Sequence, residues 1–561
     1  MKSFLLIIIF YLLNPFQGFS QTYPLTKEWA TYTNINVFGL NTAIVTDSKN
    51  NVYIAKSFTD SDNHNLNSLS KFSPSGELLW TTPNFGSIYG IVITGDDDII
   101  ISGLTNVQTG IATLGAFQET FGGGSMDGFL MKISAEGSII WGTYFGGIAM
   151  DSSPMTPYGA AIYFQGLALT SDNEIIWACT TQSDNMATSA TFQNQRDGAN
   201  YLLSKFTADG QRLWSTYYGT ADTRYSITGL QVDSSGIYLA GAVENQYTAN
   251  SYFDTFDEYV HQNLKRDVYV SKFNLSGNRM WSRYLPGNGS NLAKRNTLLL
   301  KTNNLYLTFA TSSTNFGTSE TSFPDFLGNK PGVLAKMDLN GNLDWTTYLP
   351  DNGSFADINT GGVYADGGSG IYVMGSTIAT PTSFLEMFVP ENEGSFTPYV
   401  IKFNDQGIME WGNYVGGSTT NVRNLFGLAF YDSGFYMYAQ HGNITDDGIA
   451  TPGAFQEIPI AQGSNTFLVK YGATALGIPK EDISLFSVYP NPASTTLKIN
   501  LSNKVNFPTI GNLYNALSQN VASFTIKSTE STVDVSKLSS GIYFLQIGEQ
   551  NENAIKKIII K

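Results

Sequence analysis

Lys71-Phe72-Ser73-Pro74-Ser75-Gly76-Glu77-Leu78-Leu79-Trp80 is the stretch that decides the fold. A lysine is followed by an apolar residue, a polar turn that contains glycine, and a tryptophan nine positions after the lysine. The same spacing returns five more times, at Lys132 to Trp141, Lys205 to Trp214, Lys272 to Trp281, Lys336 to Trp345 and Lys402 to Trp411. A sequence that repeats itself at a period of 61 to 73 residues indicates a repeat architecture.

Two incomplete copies of this unit flank the complete ones. Trp29-Ala30-Thr31-Tyr32 has the tryptophan half without the lysine, and Phe467-Leu468-Val469-Lys470-Tyr471 has the lysine half without the tryptophan. Together the two halves make a seventh unit. Complementary halves are typical of a ring in which the first strand completes the last unit, so that no strand edge is left unpaired.

Each unit is predicted to contain four β-strands. In the second unit they cover residues 89–94, 99–105, 127–133 and 139–144. The glycine of the repeated stretch suits the left-handed position of a short hairpin turn. We therefore predict an all-β fold, with a seven-bladed β-propeller closed by its N-terminal strand and a small β-sandwich after it.

The composition agrees with strands and turns and argues against several classes of partner. The 561 residues include 55 Gly, 31 Tyr and 36 Phe, and only 14% are charged. The net charge of -15 repels phosphate backbones, so we predict no nucleic-acid partner. The single cysteine, Cys179, cannot form an intrachain disulfide, and its apolar neighbours predict a buried, inert thiol.

Residues 1–20 are typical of a secretory signal peptide. Lys2 precedes an apolar run from Phe4 to Leu13, and small residues follow before Gln21. The run is too short to span a bilayer, and no other stretch approaches a transmembrane segment. We predict a secreted, extracellular protein.

The long loops carry a second repeated signature. Ala112-Thr113-Leu114-Gly115-Ala116-Phe117-Gln118 and Ala450-Thr451-Pro452-Gly453-Ala454-Phe455-Gln456 are near copies, and a weaker copy covers residues 187–193. Together with the lysine–tryptophan unit, this pattern resembles the bacterial seven-bladed β-propeller repeat family over about residues 27–473. The fourth and fifth units lack the loop motif. The resemblance implies a secreted or surface propeller and supplies no catalytic residues.

The C-terminal region contains three separated sequence blocks. They are Tyr489-Pro490-Asn491-Pro492 with its neighbours, Gly541-Ile542-Tyr543 with its neighbours, and the terminal Lys556-Lys557-Ile558-Ile559-Ile560-Lys561. In this order, over about residues 480–561, they resemble the type A C-terminal sorting domain of the type IX secretion system of the Bacteroidetes. The resemblance implies recognition by the secretion translocon and sortase, followed by release or by attachment to the outer-membrane surface.

The predicted domains are a signal peptide at 1–20, the propeller at 21–473, a linker at 474–483 and the sorting domain at 484–561. Within the sorting domain the predicted motif residues are Tyr489, Pro490, Asn491, Pro492, Gly541, Tyr543, Lys556 and Lys557. The two prolines are expected to make a rigid turn, and Gly541 to adopt a backbone conformation that other residues resist.

No residue set in the sequence has the spacing of a catalytic or metal site. His64, His261 and His441 lie far apart, and the acidic runs lack the alternation of a calcium loop. A nucleophile elbow and a phosphate-binding loop are both absent. We therefore predict no cofactor, no metal ligand and no catalytic residue, although the 46 acidic residues leave paired carboxylates possible.

The leading interpretation is a non-catalytic binding, adhesion or surface protein that holds a glycan or protein ligand through its long loops. The candidate loops cover about residues 106–126, 148–164, 245–266, 312–331 and 378–397. The loop at 245–266 is favoured because of its aromatic residues, Tyr247, Tyr252, Phe253, Phe256 and Tyr259.

Two other classes of function stay open at this point. One is a secreted propeller enzyme, either a glycan hydrolase or lyase or a quinone-dependent dehydrogenase. The hydrolase predicts carboxylates clustered at one mouth of the central channel. The other is a purely structural component of the cell surface. Fold alone does not choose among them.

Overall fold

The structure is a computed structural model. It describes residues 25–33, 44–59, 65–151, 166–198, 200–219, 223–245, 266–285, 287–293, 296–326, 331–349, 359–377, 397–414, 422–441, 449–459, 465–473, 486–501, 507–515, 519–547 and 554–561. These residues fall into two compact units, Lys27–Tyr471 and a C-terminal unit that begins at Gly472. All regular elements among the described residues are β-strands, which confirms the all-β prediction. The described residues accordingly contain no helix that could cross a membrane.

In the described part of Lys27–Tyr471 the strands form seven antiparallel sheets. Sheet 1 contains β2 (Ile44–Thr46), β3 (Val52–Thr59), β4 (Asn65–Phe72) and β5 (Leu78–Thr81); sheet 2 contains β6 (Ser87–Ile93), β7 (Ile99–Thr105), β8 (Asp127–Ile133) and β9 (Ile139–Phe145); and sheet 3 contains β10 (Leu167–Leu169), β11 (Ile175–Thr181), β12 (Asn200–Phe206) and β13 (Arg212–Tyr218). Sheet 4 contains β14 (Thr223–Tyr225), β15 (Gly229–Asp233), β16 (Gly236–Asn245), β17 (Arg266–Phe273) and β18 (Arg279–Leu285), and sheet 5 contains β19 (Asn291–Leu292), β20 (Leu298–Lys301), β21 (Asn304–Thr311), β22 (Gly332–Asp338) and β23 (Leu343–Tyr348). Sheet 6 contains β24 (Asn359–Ala365), β25 (Ile371–Thr377), β26 (Thr397–Phe403) and β27 (Met409–Tyr414), and sheet 7 contains β28 (Val422–Tyr431), β29 (Gly434–His441), β30 (Asn465–Ala473) and the N-terminal strand β1 (Leu25–Tyr32).

One strand of each sheet contacts one strand of the next sheet, in cyclic order. β2 contacts β6, β6 contacts β10, β10 contacts β15, β15 contacts β20, β20 contacts β24, β24 contacts β28, and β28 contacts β2. All seven of these strands line one cavity of about 520 Å³. The N-terminal strand β1 pairs with β30, so that sheet 7 contains strands from both ends of the repeat region.

Buried apolar side chains fill the spaces between neighbouring sheets. Ala55 and Leu69 of sheet 1, for example, share a core cluster with Ile101 and Phe129 of sheet 2. Every residue of β7 is buried, which explains why its sequence does not alternate between apolar and polar residues. Cys179 is an exception to the prediction, because its side chain is half-buried at the margin of such a cluster rather than fully buried.

The repeated ten-residue stretch joins each sheet to the next one. Lys71 and Trp80 lie directly opposite each other on β4 and β5, and a β-bulge follows the lysine. Both side chains donate to the carbonyl oxygen of Ala135, in the hairpin turn of sheet 2, over 3.0 and 3.1 Å. A Cβ atom on Gly137 of that turn would lie 3.1 Å from the indole ring of Trp80, and the φ angle of Gly137 is +91°. This position therefore requires glycine both for its backbone conformation and for its contact with the indole.

The same indole-to-turn hydrogen bond recurs around the sheets. Its donor and acceptor residues are Trp141 and Ala208, Trp214 and Leu275, and Trp345 and Asp405. The tryptophans therefore recur at one place in their units, and for most of them that place contacts the following sheet.

The two half-units of the sequence lie together and reproduce these contacts. Trp29 of β1 and Lys470 of β30 both donate to the carbonyl oxygen of Pro74, over 2.9 and 3.1 Å. A Cβ atom on Gly76 would lie 3.0 Å from the Trp29 ring. Lys470 also pairs with Glu28 at 2.8 Å. Sheet 7 is thereby joined to sheet 1 in the way that sheet 1 is joined to sheet 2.

The loop motif runs along the outermost strand of its own sheet. The amide nitrogen of Thr113 donates to the Gly142 carbonyl oxygen, and that of Tyr144 to the Gln118 carbonyl oxygen. The ring of Phe117 packs edge-on against Phe206 of sheet 3, with 6.1 Å between centroids. The motif is thus part of the packing between sheets.

The fifth unit lacks the motif in its sequence but has the same local backbone structure. In sheet 5 the amide nitrogen of Thr318 donates to Thr346, and that of Tyr348 donates to Phe323. These are the same backbone hydrogen bonds as in sheet 2, although residues 317–323 do not share the motif's letters. Backbone hydrogen bonds tolerate a change of side chain, so the sequence signature was lost while the local structure was kept.

The C-terminal unit contains two antiparallel sheets with one shared core. The first sheet has β31 (Phe486–Tyr489), β32 (Thr496–Leu501) and β35 (Glu530–Asp534); the second has β34 (Asn520–Ile526), β33 (Thr509–Asn515), β36 (Gly541–Ile547) and β37 (Ala554–Ile560). Leu497 and Ile499 of the first sheet share a buried cluster with Leu513, Leu545 and Ile558 of the second. The predicted signal peptide and linker lie outside the described residues.

Candidate functional site

The first and third sequence blocks of the C-terminal unit meet at the edge of β37. The side-chain nitrogen of Asn491 donates to the Lys557 carbonyl oxygen, and the amide nitrogen of Ile559 donates to the Asn491 side-chain oxygen, each over 2.8 Å. Two residues later, Ala493 forms a parallel bridge with Ile560. Residues 491–493 therefore cover an edge that would otherwise present unpaired backbone groups.

The proline residues of the first block lie beside Asn491. Pro490 and Pro492 follow Tyr489 in a bend after β31, and both are preceded by cis peptide bonds. The Tyr489 ring is exposed, and Lys498 lies opposite it on β32 with its ammonium 5.9 Å from the ring centroid.

The second block pairs with the third along β36 and β37. Gly541 lies opposite Ile560, Tyr543 opposite Ile558 and Leu545 opposite Lys556. Tyr543 is buried, and its hydroxyl donates to the Ser539 carbonyl oxygen over 2.8 Å. Tyr543 therefore fixes the turn that leads into β36, and the three blocks form one continuous site.

The prediction that Gly541 adopts a backbone conformation that other residues resist is wrong. Its φ angle is not positive, and a Cβ atom added to it would meet nothing closer than Tyr543 at 3.8 Å. Neither backbone strain nor lack of space requires glycine here. The sequence could not reveal this, because the same letter marks left-handed turns and open strand positions.

Gly541→Ala is expected to change the local stability of β36 by less than about 0.5 kcal/mol, since the substituted position is open. Gly511→Ala on the neighbouring strand β33 is the matched control, because its Cβ would lie 2.5 Å from the Phe524 ring. That overpacking is expected to cost about 1–3 kcal/mol. Hydrogen exchange of the β36 amides in the full chain measures both, and equal destabilisation by the two variants would contradict the interpretation of Gly541.

Some members of the blocks face outward and have no evident role in holding the fold. Ile542 and Ile559 are direct cross-strand partners and are 44% and 37% exposed. Lys557 is exposed on the same face, opposite Phe544. Ile542 and Ile559 were not among the predicted site residues. The alternation of β36 and β37 carries the signal for them, because Tyr543, Ile558 and Ile560 point into the core.

The charge of this region differs from that of the rest of the chain. Residues 487–561 carry seven lysines and four carboxylates, a net charge of +3, which leaves -18 for the other residues. The C-terminal region is therefore basic within an otherwise acidic protein.

Residues 487–561 match the secretion system C-terminal sorting domain. This domain indicates secretion through the type IX system, and it implies that components of that system recognise it. The protein is therefore extracellular. Proteins with this sorting domain are commonly anchored on the cell surface.

Solved structures resemble the chain only distantly. PorZ of Porphyromonas gingivalis, a surface component of the type IX secretion system, is 9% identical with a TM-score of 0.36, and the match covers 94% of this chain and 60% of PorZ. A polysaccharide lyase of family PL25, an ulvan lyase, is 9% identical with a TM-score of 0.40, covering 73% and 92%. The endosialidase of phage phi92 is 11% identical with a TM-score of 0.34, covering 95% and 87%.

The chain spans about three fifths of the length of PorZ. A search of curated proteins finds no significant match.

Most of the residues that line the cavity between the seven sheets are apolar, although polar atoms form a similar share of its surface to apolar atoms. Four polar side chains, each on or next to a different strand, line it: Thr46, Gln231, Asn296 and Tyr364. The other lining side chains are mostly aliphatic and aromatic. Its lining residues include no carboxylate and no histidine. Among the described residues, no group of three or more His, Cys, Asp or Glu could hold a metal ion.

Carboxylates are instead used in the turns between the first two strands of several sheets. Asp47 accepts a hydrogen bond from the Tyr53 hydroxyl over 2.9 Å and pairs with Lys71 at 3.2 Å. Burial alone would raise the pKa of Asp47, but hydrogen bonds from Asn51 and Tyr53 hold it below its ordinary 3.8. Its stabilising contribution is present above that pH and is lost as the pH falls further. Asp47 is therefore a structural carboxylate.

The candidate binding loops are only partly described. The predicted aromatic residues Tyr247, Tyr252, Phe253, Phe256 and Tyr259 all lie outside the described residues, as do most of loops 148–164 and 378–397. Loop 106–126 is described in full. Leu114, at its tip, is almost fully exposed, whereas Phe117 is held between sheets 2 and 3.

Proposed function

We propose that this protein is a type IX cargo whose seven-bladed β-propeller binds a glycan or protein ligand at the cell surface without chemically changing it. The observation that carries the proposal is the cyclic order of the seven innermost strands around one cavity. A closed ring of this kind is a rigid scaffold, and loops on rigid scaffolds are where proteins usually bind.

The contact of sheet 7 with sheet 1 supports the closed ring. The Trp29 and Lys470 side chains share the Pro74 carbonyl oxygen as acceptor, as Trp80 and Lys71 share that of Ala135. Because β1 and β30 come from opposite ends of the repeats, this junction joins the last sheet of the proposed ring to the first.

The ligand is proposed to bind through the loops that follow the second strand of each unit, with 245–266 as the principal one. Its five aromatic residues, Tyr247, Tyr252, Phe253, Phe256 and Tyr259, suit stacking against sugar rings or packing against a protein surface. The C-terminal domain is proposed to be the part read by the translocon and sortase, through the residues of its three blocks.

Binding by the full-length secreted protein to glycan and protein arrays tests the proposal. We expect retained binding to at least one ligand class and no turnover on a panel of polysaccharides. Replacing Tyr252, Phe253 and Phe256 together with serine is expected to weaken that binding at least about tenfold, since each lost aromatic contact is worth about 0.5–1.5 kcal/mol. Met280→Ser, at an exposed position on strand β18 and outside these loops, is the matched control and should leave binding unchanged.

Two results would contradict the proposal. Reproducible polysaccharide turnover that a single carboxylate substitution abolishes would assign the protein to the hydrolases or lyases. Recovery of a coloured quinone cofactor from the purified protein would assign it to the dehydrogenases.

A further inference from the structure

A buried carboxylate oxygen without a hydrogen-bond partner lies between sheets 2 and 3. Asp127, the first residue of β8, is 0% exposed. Its Oδ2 atom accepts a hydrogen bond from the amide nitrogen of Gly122, whereas Oδ1 is buried without a partner. A Cβ atom on Gly146 would lie 2.4 Å from Oδ1, so this oxygen packs directly against the Gly146 backbone. An unpaired, fully buried carboxylate oxygen is costly and calls for an explanation.

A second buried carboxylate, Asp151, acts electrostatically on the first. It is 2% exposed and accepts hydrogen bonds from the hydroxyl groups of Thr181 and Ser183 and from the amide nitrogen of Gly147. Burial is the main cause that raises the pKa of Asp127 to about 6. Backbone hydrogen bonds from Gly122 and Gly123 oppose this shift, and the charge of Asp151 adds to it.

Sheets 4 and 5 contain a similar arrangement, in which asparagine replaces the second aspartate and both hydroxyl groups bond to its one side-chain oxygen. Asp267, like Asp127, lies five residues before the repeated lysine of its sheet. Asn291 takes the place of Asp151: it pairs with Thr311 as Asp151 pairs with Thr181. The Asn291 side-chain oxygen accepts from the hydroxyl groups of Thr311 and Ser313.

The difference lies in the atom that faces the first carboxylate. In sheets 4 and 5 the side-chain nitrogen of Asn291 donates to Oδ1 of Asp267 over 3.3 Å. In sheets 2 and 3 an aspartate stands at that position, and a carboxylate oxygen has no hydrogen to donate unless it is protonated.

We propose that Asp127 and Asp151 share one proton, which replaces the amide hydrogen of Asn291 and holds together the two backbone segments that carry these residues. Those segments touch closely. A Cβ atom on Gly122 would lie 2.5 Å from the Gly146 carbonyl oxygen, and one on Gly124 would lie 2.5 Å from the Ala149 carbonyl carbon and oxygen. When the proton leaves, two negative charges remain in this contact and the segments separate more easily.

The other titratable groups around the pair do not replace the proton. The Tyr144 and Tyr217 hydroxyls donate to the Val107 and Ser183 carbonyl oxygens. Burial raises the pKa of both tyrosines, so they stay neutral through the range considered. On the adjoining loop Arg196 pairs with Asp184 at 2.7 Å.

The direction of the pH dependence follows from the raised pKa of Asp127. A carboxyl that holds its proton more tightly in the folded state than at its ordinary 3.8 stabilises the fold at low pH. This contribution is lost as the pH rises through about 6. Asp47, with its lowered pKa, acts in the opposite direction and at lower pH.

Asp151→Asn tests the proposal, because it recreates the pair found in sheets 4 and 5. Exchange of the Gly122 and Gly147 amide hydrogens, corrected for the intrinsic pH dependence of exchange, is measured in the full chain at pH 5 and pH 8. In the unsubstituted protein we expect local opening to increase at least about tenfold between these values, since one pKa unit corresponds to a factor of ten. In Asp151→Asn we expect no such increase.

Asn291→Asp is the reciprocal variant, because it creates a second acid pair. We expect it to gain a similar pH-dependent opening in sheets 4 and 5, with no change in sheets 2 and 3. If Asp151→Asn does not fold, Asp127→Asn replaces it with the same expected result.

Two results would overturn the proposal. In the first, Asp151→Asn keeps the pH dependence of the unsubstituted protein. In the second, millimolar Ca²⁺ removes the dependence in the unsubstituted protein but has no effect on Asp151→Asn. A metal ion, rather than a proton, would then neutralise the pair.

Discussion

Replacing Trp29 with alanine is expected to lower the free energy of unfolding of the Lys27–Tyr471 unit by about 3 kcal/mol, as large aromatic truncations do. The variant loses the hydrogen bond to Pro74 and the contact with Gly76, and it also loses ring packing against Tyr436, whose centroid lies 5.8 Å away. Urea unfolding of the full chain, followed by tryptophan fluorescence, measures the loss.

The location of the damage distinguishes this junction from an ordinary core site. Hydrogen exchange should accelerate first at β1 and β30, including the Tyr32 amide nitrogen, which donates to Gln456. Leu79→Ala is the control, because Leu79 is 49% exposed on the same kind of strand and should cost less than about 0.5 kcal/mol. Equal effects of the two variants, or uniform exchange across all sheets, would argue that Trp29 has no special part in closing the ring.

The double substitution Ile542→Asp with Lys557→Glu is expected to reduce the extracellular fraction of the protein at least about tenfold, which corresponds to about 1.4 kcal/mol of lost recognition. The reason is that both side chains face outward, beside Ile559, and hold no other part of the domain in place. The change converts an apolar and basic surface into an acidic one, and like charges across an interface are strongly unfavourable. Immunoblots of culture supernatant, outer membrane and periplasm in a host with a type IX system measure the result.

A matched control lies on the other edge of the same sheet. Val521 is 38% exposed on β34, and Val521→Asp with Lys527→Glu makes the same change of charge away from β37. Export of this control should be close to that of the unsubstituted protein. If both doubles fail to be exported although both fold, as judged by protease resistance, then net charge rather than the face of β36 and β37 governs recognition.

Much of the secondary structure and its repetition could be predicted from the sequence, because these depend on local spacing. The nine-residue step from Lys71 to Trp80 corresponds to a cross-strand pair with a bulge. What the indole contacts could not be predicted, since its acceptor at Ala135 lies 55 residues away on another sheet. A local pattern gives the position of a side chain in its own hairpin and not its neighbour in the next one.

The parts that escaped prediction share a physical cause, which is that they depend on the three-dimensional environment of a residue. Gly541 was interpreted from its residue type alone, yet its strand position has room for a side chain. Asp127 and Asp151 have no motif between them, and only burial distinguishes them from other aspartates. The aromatic loop around Tyr252 stays a prediction.

The pairing of the first strand with the last one has a consequence for the order of events during translation. The hydroxyl groups of Thr33 and Thr466 lie 2.6 Å apart, although 433 residues separate them in the chain. β1 leaves the ribosome first and has no partner until β30 is made, while sheets 1 to 6 can assemble in sequence. Closing so long a loop costs only about 5 kcal/mol of chain entropy beyond a constant, because the cost grows with the logarithm of length. A nascent or prematurely terminated chain therefore displays two open strand edges, and quality-control factors that bind such edges can distinguish it from the finished protein.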